Sequence, residues 1–155
     1  MKNTKLLLLA MLIIPWLTTP LLGKNAFKKY VPAAIFICTF TKAIDLFGEK
    51  KKWWRNYKVI PPFESLNYLN FGSYFVTSLW MLKMFYGKFP LYLISNTILQ
   101  CLFIFFGLKY AKRYKIFSLE KLTKFQYLAI DFLRALLLYG FQYIDDLKKS
   151  IFNIR

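Results

Sequence analysis

The sequence predicts an all-α fold: a polytopic helical membrane protein with four transmembrane helices and a C-terminal helix that either spans the membrane or lies at its interface. Three observations carry that prediction. Of 155 residues 57% are hydrophobic, yet 23 Lys/Arg stand against seven Asp/Glu, for a formal charge of +16. Mean hydropathy is nonetheless positive, at +0.37. The two properties are also segregated, with uncharged runs of 18 and 20 residues alternating with basic clusters. Disordered chains lack such apolar runs, and a disulfide-stapled secreted scaffold needs more than the two cysteines present. At this length a single membrane domain over residues 1–155 is expected.

The first helix is expected over residues 6–23, 18 uncharged residues reaching roughly 27 Å at 1.5 Å each, close to the thickness of a bilayer's hydrocarbon. Lys2 and Lys5 before a leucine-rich stretch resemble a signal peptide. No small-residue cleavage site follows, however, and Pro15, Trp16 and Pro20 interrupt the place where one would form, so an uncleaved anchor is expected. Pro15 should kink this helix, leaving carbonyls for neighbouring helices to satisfy. The second helix, over 30–47, is weaker: Lys42 and Asp45 fall near its end, and Gly48 reads as its stop. Pro61 and Pro62 favour an extended approach to the third, over 65–82. That run holds Asn67, Asn70, Ser73, Thr77 and Ser78, polar content that suits a helix facing other helices. Ser73 and Thr77 also give a small-xxx-small spacing, a pattern short enough to recur by chance. The fourth, over 89–108, is the clearest, with 20 uncharged residues between Lys88 and Lys109.

The last helix, over 121–147, is ambiguous by hydropathy. In its apolar part the ten Leu/Ile/Phe residues contribute about −0.3 to −0.6 kcal/mol each, while central Asp131 and Arg134 cost about 2.5 to 3.5 each. The sums nearly cancel. Lys124, Tyr127, Asp131, Arg134, Gln142 and Asp145 fall near one helical stripe, which fits either a span turned towards a bundle or a helix lying on the surface.

Orientation follows from the connections. With the N-terminus inside, the N-terminal tail and residues 42–64 and 109–124 carry fourteen Lys/Arg, against five in 24–29 and 83–88. The positive-inside bias therefore predicts a multi-pass protein of the cytoplasmic membrane with a cytoplasmic N-terminus.

Local motifs admit a sharp and a plain reading. Lys50, Lys51, Lys52, Trp53, Trp54, Arg55 and Lys58 join cations suited to anionic headgroups with rings suited to the interface. Regulated lipid binding is the sharp version; topology and anchoring at a lipid surface is the expected one. Nucleic acid is not an expected partner beside a membrane tether. Asp131 and Arg134, at i and i+3, share a face and either mark an ion path or neutralise each other while holding the helix in place. Neutralisation is expected, because no second intramembrane carboxylate is apparent and the chain has no histidine. Asn96 and Gln100 share a face of the fourth helix, where interhelical hydrogen bonding is expected and a ligand pocket shared with Asn67 or Asn70 is the sharper alternative. Cys38 and Cys101 read as packing residues.

No nucleotide-binding, hydrolase, metalloprotease or calcium-loop signature occurs in the sequence. No catalytic residue, cofactor or metal ligand is therefore expected, and the protein does not read as an enzyme. Four stretches, IPWLTTPLLGKNAFKKYVPAAIFI (14–37), KKWWRNYK (51–58), TSLWMLKMFYGKFPLYL (77–93) and LLLYGFQYI (136–144), resemble a group of small multi-pass membrane proteins from low-GC Gram-positive bacteria. The resemblance spans most of the chain and rests on hydrophobic and basic patterning. It implies the membrane class and, that group having no assigned activity, no site residues. The functional expectation is a non-enzymatic protein that acts through helix contacts with a membrane partner or its own copies, its basic loops resting on anionic lipid. The alternative is a small transporter or channel subunit built around Asp131 and Arg134.

Overall fold

Pro15 and Pro20 divide the first apolar run into α1 (Lys2–Leu17) and the short α2 (Thr19–Leu22). The structure, a computed structural model, describes residues 2–57 and 68–153. A proline removes the N–H that would reach the carbonyl four residues back. The carbonyl freed by Pro15, that of Met11, accepts from Ser73 Oγ at 3.0 Å; the one freed by Pro20, that of Trp16, accepts from Thr19 Oγ1 at 2.7 Å. Ser73 lies in a π-helical stretch, Asn70–Tyr74, that leads into α4 (Phe75–Phe85). A Cβ on Gly72 would stand 2.6 Å from the Met11 carbonyl oxygen and 2.7 Å from Leu12 Cα, so glycine is what lets the two backbones meet. Above this crossing α1 and α4 run parallel: Trp16 stacks on Phe75 at 5.4 Å, and Trp80 Nε1 donates to Thr18 Oγ1 at 3.0 Å.

Between them comes α3 (Lys24–Lys50), which runs past the glycine expected to stop it. Gly48 instead admits the ring of Trp54, whose Cζ2 lies 2.3 Å from where a Cβ would be. The helix expected over 89–108 also extends, as α5 (Phe89–Leu102), a π-helical turn (Phe103–Gly107) and α6 (Leu108–Arg113). Two short strands, β1 (Trp54–Asn56) and β2 (Phe117–Leu119), pair antiparallel with Arg55 opposite Ser118. Sequence patterning gave no sign of them. The final helix, α7 (Lys124–Asn153), is antiparallel to α3, with Arg134 meeting Asp45, Phe141 stacked on Phe36 at 4.4 Å, and Asp146 paired with Lys29 at 3.2 Å.

These contacts sort the connections between two ends of the bundle. Strands β1 and β2 come from the two most basic connections, and Leu8 near the chain's start packs into the same cluster as Trp54, Phe117 and Tyr127. At the other end Lys29 sits over the Tyr86 ring at 5.0 Å while pairing with Asp146. There, burial and then the neighbouring Asp146 raise the Tyr86 hydroxyl above its ordinary value.

Among the described residues three helices are long and apolar enough to cross a membrane: Asn3–Leu22, Lys24–Lys50 and Phe89–Arg113. The run expected over 65–82 begins outside the described residues, as do Lys58, Asn67 and the Pro61–Pro62 junction; its described helical part covers 68–85. Helix α7 is not among those three, but its faces are distributed inside out. Tyr127, Asp131, Arg134, Ala135, Leu138 and Gln142 are buried, whereas Phe125, Phe132, Leu133, Ile144, Ile151 and Phe152 are exposed.

Candidate functional site

Arg134, on the inward stripe of α7, is 4% exposed. A guanidinium so enclosed needs charge and hydrogen-bond partners, since an unpaired buried ion costs several kcal/mol or about that order. It has two. Nη1 donates to Asp131 Oδ1 at 2.9 Å, one turn back on the same helix, and Nη2 lies 3.5 Å from Asp45 Oδ1 on α3. Asp45 Oδ2 in turn accepts from Asn70 Nδ2 at 2.7 Å, from the first residue of the π-helical stretch. The Asn70 carbonyl accepts a weaker bond from Cys38 Sγ at 3.6 Å. The cluster thus ties α3, α7 and the π-helical turn together through charge-assisted bonds.

The expected Asp131–Arg134 pair is present but is only part of this group. Asp45 and Asn70 were not foreseen as members. Asp45 read as a residue near a run's end because the helix was expected to stop at Gly48; with α3 continuing to Lys50, it lies inside the helix. A signal did exist. Ala34, Cys38, Thr41, Asp45 and Gly48 recur at three- and four-residue intervals, and all are buried. A stripe of small and polar residues on an otherwise apolar helix marks the face turned to its neighbours.

Beside the cluster lies a cavity of about 360 Å³ between α1, α4, α5 and α7. Asn70, Asp131 and Arg134 border it, as do Asn96 and Gln100. Asn70, Asn96 and Gln100 thus border one cavity, and Asn67 lies outside the described residues. Asn96 Nδ2 donates to the Tyr92 carbonyl at 3.1 Å, within its own helix. Ser73, the first of the small-xxx-small pair, bonds α1, while Thr77 lines the cavity. Arg134 brings an unusual feature, for its Nε is buried with no acceptor among the described residues.

The basic motif divides. Lys50, Lys51, Lys52 and Arg55 are exposed at the ribbon end, and Trp53 is partly so. Trp53 meets the Phe47 ring edge-on at 5.4 Å, and its carbonyl accepts from the amides of Glu120 and Lys121 at 3.0 and 3.1 Å. Trp54 is not a surface residue. It is 2% exposed, edge-on to Tyr127 at 5.9 Å and seated on Gly48, so its ring packs protein and not lipid. The period-two alternation of strand β1 causes this, turning Trp54 inward and Arg55 out. No three His, Cys, Asp or Glu side chains converge on a metal-binding position among the described residues.

The chain matches no protein-family model, no curated protein and no solved structure. What it does must be argued from its own geometry.

Proposed function

We propose that this is a non-enzymatic integral protein of the cytoplasmic membrane. It acts through helix contacts with a membrane partner or its own copies, and its basic end rests on anionic lipid. The observation that carries the reading is the inverted polarity of α7. A surface helix of a water-soluble protein turns its apolar stripe inward; α7 buries Asp131, Arg134 and Gln142 and exposes Phe132, Leu133 and Ile144. Lipid is the solvent that such a surface suits. In this reading the three long apolar helices, the 65–82 segment and α7 all cross the bilayer. The N-terminal tail and the basic ribbon then face the cytoplasm, and each Lys/Arg near anionic headgroups contributes about 1 kcal/mol of attraction. The likeness of its patterning to small multi-pass proteins of low-GC Gram-positive bacteria accords with this.

A second reading, a small transporter or channel subunit, draws on the cavity beside Asp131 and Arg134. The two separate in liposomes of purified protein. A partner-binding role predicts no solute flux or current, together with crosslinking to a membrane protein or to a second copy. That crosslinking should fall when exposed small or polar helix-face residues are enlarged. Transport predicts flux that is lost on Asp131→Asn/Arg134→Gln, and its appearance would overturn the first reading.

A further inference from the structure

We infer that the chain is built from two copies of one helical hairpin, and that α1 and α4, joined as a central pair, rock between α3 and α5 so that one seam opens as the other closes. The inference rests on the membrane reading above, because both seams lie within the bilayer.

The duplication shows first in the turns. Trp16, Gly23 and Lys24 recur, with the same spacing, as Trp80, Gly87 and Lys88. Both glycines have positive φ, 80° and 89°, and each turns an outgoing helix, α1 or α4, into a returning one, α3 or α5. The returning helices also end alike. The amides of Lys52 and Trp53 reach back to the carbonyls of Glu49 and Gly48, and those of Lys115 and Ile116 to the carbonyls of Lys112 and Ala111. Lys52 and Lys115, with φ of 55° and 51°, are the only non-glycine residues of positive φ among the described residues. After a helix that conformation usually falls to glycine, so lysine at both places marks a repeated design.

Each of these ends leads into a three-residue strand, and the ladder is its own twofold image: Trp54 faces Leu119 as Phe117 faces Asn56. Tyr127 of α7 stands 5.9 Å from the rings of both Trp54 and Phe117, so α7 begins on the axis that relates the two hairpins.

Exchanging the hairpins carries the contact of α4 on α3 onto that of α1 on α5, and these two seams differ. The first is closed: Ala33, Ala34 and Ile37 are fully buried in one cluster with Val76, Leu79 and Leu82. In the second, counted from the matching helix ends at Gly48 and Ala111, Asn96 and Gln100 stand where the first has Ala33 and Ile37. They line the 360 Å³ cavity together with Met11 of α1. Side chains around a cavity forfeit dispersion contacts that a packed seam makes, and the first hairpin shows the packing that closes it. Amides suit a face that is open in one state and closed in the other. They bond within their own helix, as Asn96 does to Tyr92, or across to a neighbour.

The moving part is α1 with α4. The Gly72 crossing, Trp16 on Phe75, Trp80 on Thr18, and Lys83 Nζ, which donates to the Leu21 carbonyl at 3.0 Å, join them along their length. A latch holds the first seam: Asp45 on α3 accepts from Asn70 at the foot of α4 and faces Arg134 of α7. Leu108 stands where α3 has Asp45, so the second seam lacks that carboxylate. The structure is the state in which the latched seam is shut and the other open.

The test is a pulsed spin-label distance measurement on the full chain in nanodiscs of phosphatidylcholine and phosphatidylglycerol, with Cys38 and Cys101 replaced by alanine. Labels at the exposed positions of Ile35→Cys and Met84→Cys report the first seam, and labels at Ile98→Cys and Leu21→Cys, also exposed, report the second. Unlatching by Asp45→Asn/Asp131→Asn/Arg134→Met should lengthen the first distance and shorten the second, each by several ångströms. Adding Thr77→Phe, which fills the cavity, should keep the second distance long. Unchanged distances in a folded, unlatched protein would overturn the inference. So would lengthening of both, the sign of a loosened bundle, or a second distance that shortens despite Thr77→Phe. Should the triple variant misfold, Asn70→Leu, which unties α4 from Asp45 alone, carries the same expectations. Protein that inserts into nanodiscs with fixed distances loses the rocking and keeps the membrane reading; protein that does not insert loses both.

Discussion

At the scale of single residues, two close approaches and one charge cluster decide the packing. Gly72 lies against the backbone of α1, where a side chain has no room to yield. Gly72→Val should therefore push α1 off the π-helical turn and strip Met11 of its Ser73 donor. Overpacking of this kind costs about 1–3 kcal/mol, read as a lower unfolding midpoint in detergent. Gly140 in α7 is the control, since nothing lies within 4 Å of its would-be Cβ. Gly140→Ala should leave the midpoint unchanged or raise it, by up to about 1 kcal/mol, because alanine loses less backbone entropy. The cluster around Arg134 makes a different prediction. Arg134→Met leaves Asp45 and Asp131 buried without their cation, and removing one member of such a group costs about 3–5 kcal/mol. The combined variant Arg134→Met/Asp45→Asn/Asp131→Asn should recover most of that loss. If all three single substitutions are neutral in the same unfolding assay, the cluster does not hold α3 against α7.

At the scale of elements, legibility tracked the length of the local signal. The long apolar runs placed helices over 6–23, 30–47 and 89–108, because hydropathy sums over many positions. Their ends were less legible. The second helix starts six residues earlier and ends three later than the expected 30–47, because Gly48 was read as a stop when its function is to admit the Trp54 ring. Strands β1 and β2 have three residues each and pair residues far apart in sequence, Trp54 with Leu119 and Asn56 with Phe117, a contact that no local pattern announces. The same pairing explains why Trp54, one of an apparent pair of interfacial tryptophans, is buried. For the candidate site, the amides and the Asp131–Arg134 pair were legible from spacing within one helix. Asp45 was not, because its role depends on which helix lies opposite. The polarity of α7 yields its own prediction: Leu133→Arg, on the exposed face, should reduce membrane insertion by about 2.5–3.5 kcal/mol. The fraction inserted during translation into microsomes reads this directly, and Leu133→Phe should leave it unchanged.

At the scale of the whole molecule, the charge asymmetry and the packing agree. The connections that a count of Lys/Arg assigns to one side are those that the ribbon and Leu8 bring to one end, and Lys29, Tyr86 and Asp146 gather at the other. An arrangement with α7 lying flat on the membrane surface would separate Lys29 from Asp146, and Arg134 from Asp45, so the bundle and the fifth crossing stand or fall together. The most direct measurement is cysteine accessibility at the two ends of α7, in a background where Cys38 and Cys101 are replaced by alanine. Lys124→Cys and Lys149→Cys are each challenged in intact cells and in inverted vesicles with a reagent that does not cross lipid. The account predicts that position 124 reacts only from the cytoplasmic side and position 149 only from the opposite side. Reaction of both positions from a single side would contradict it.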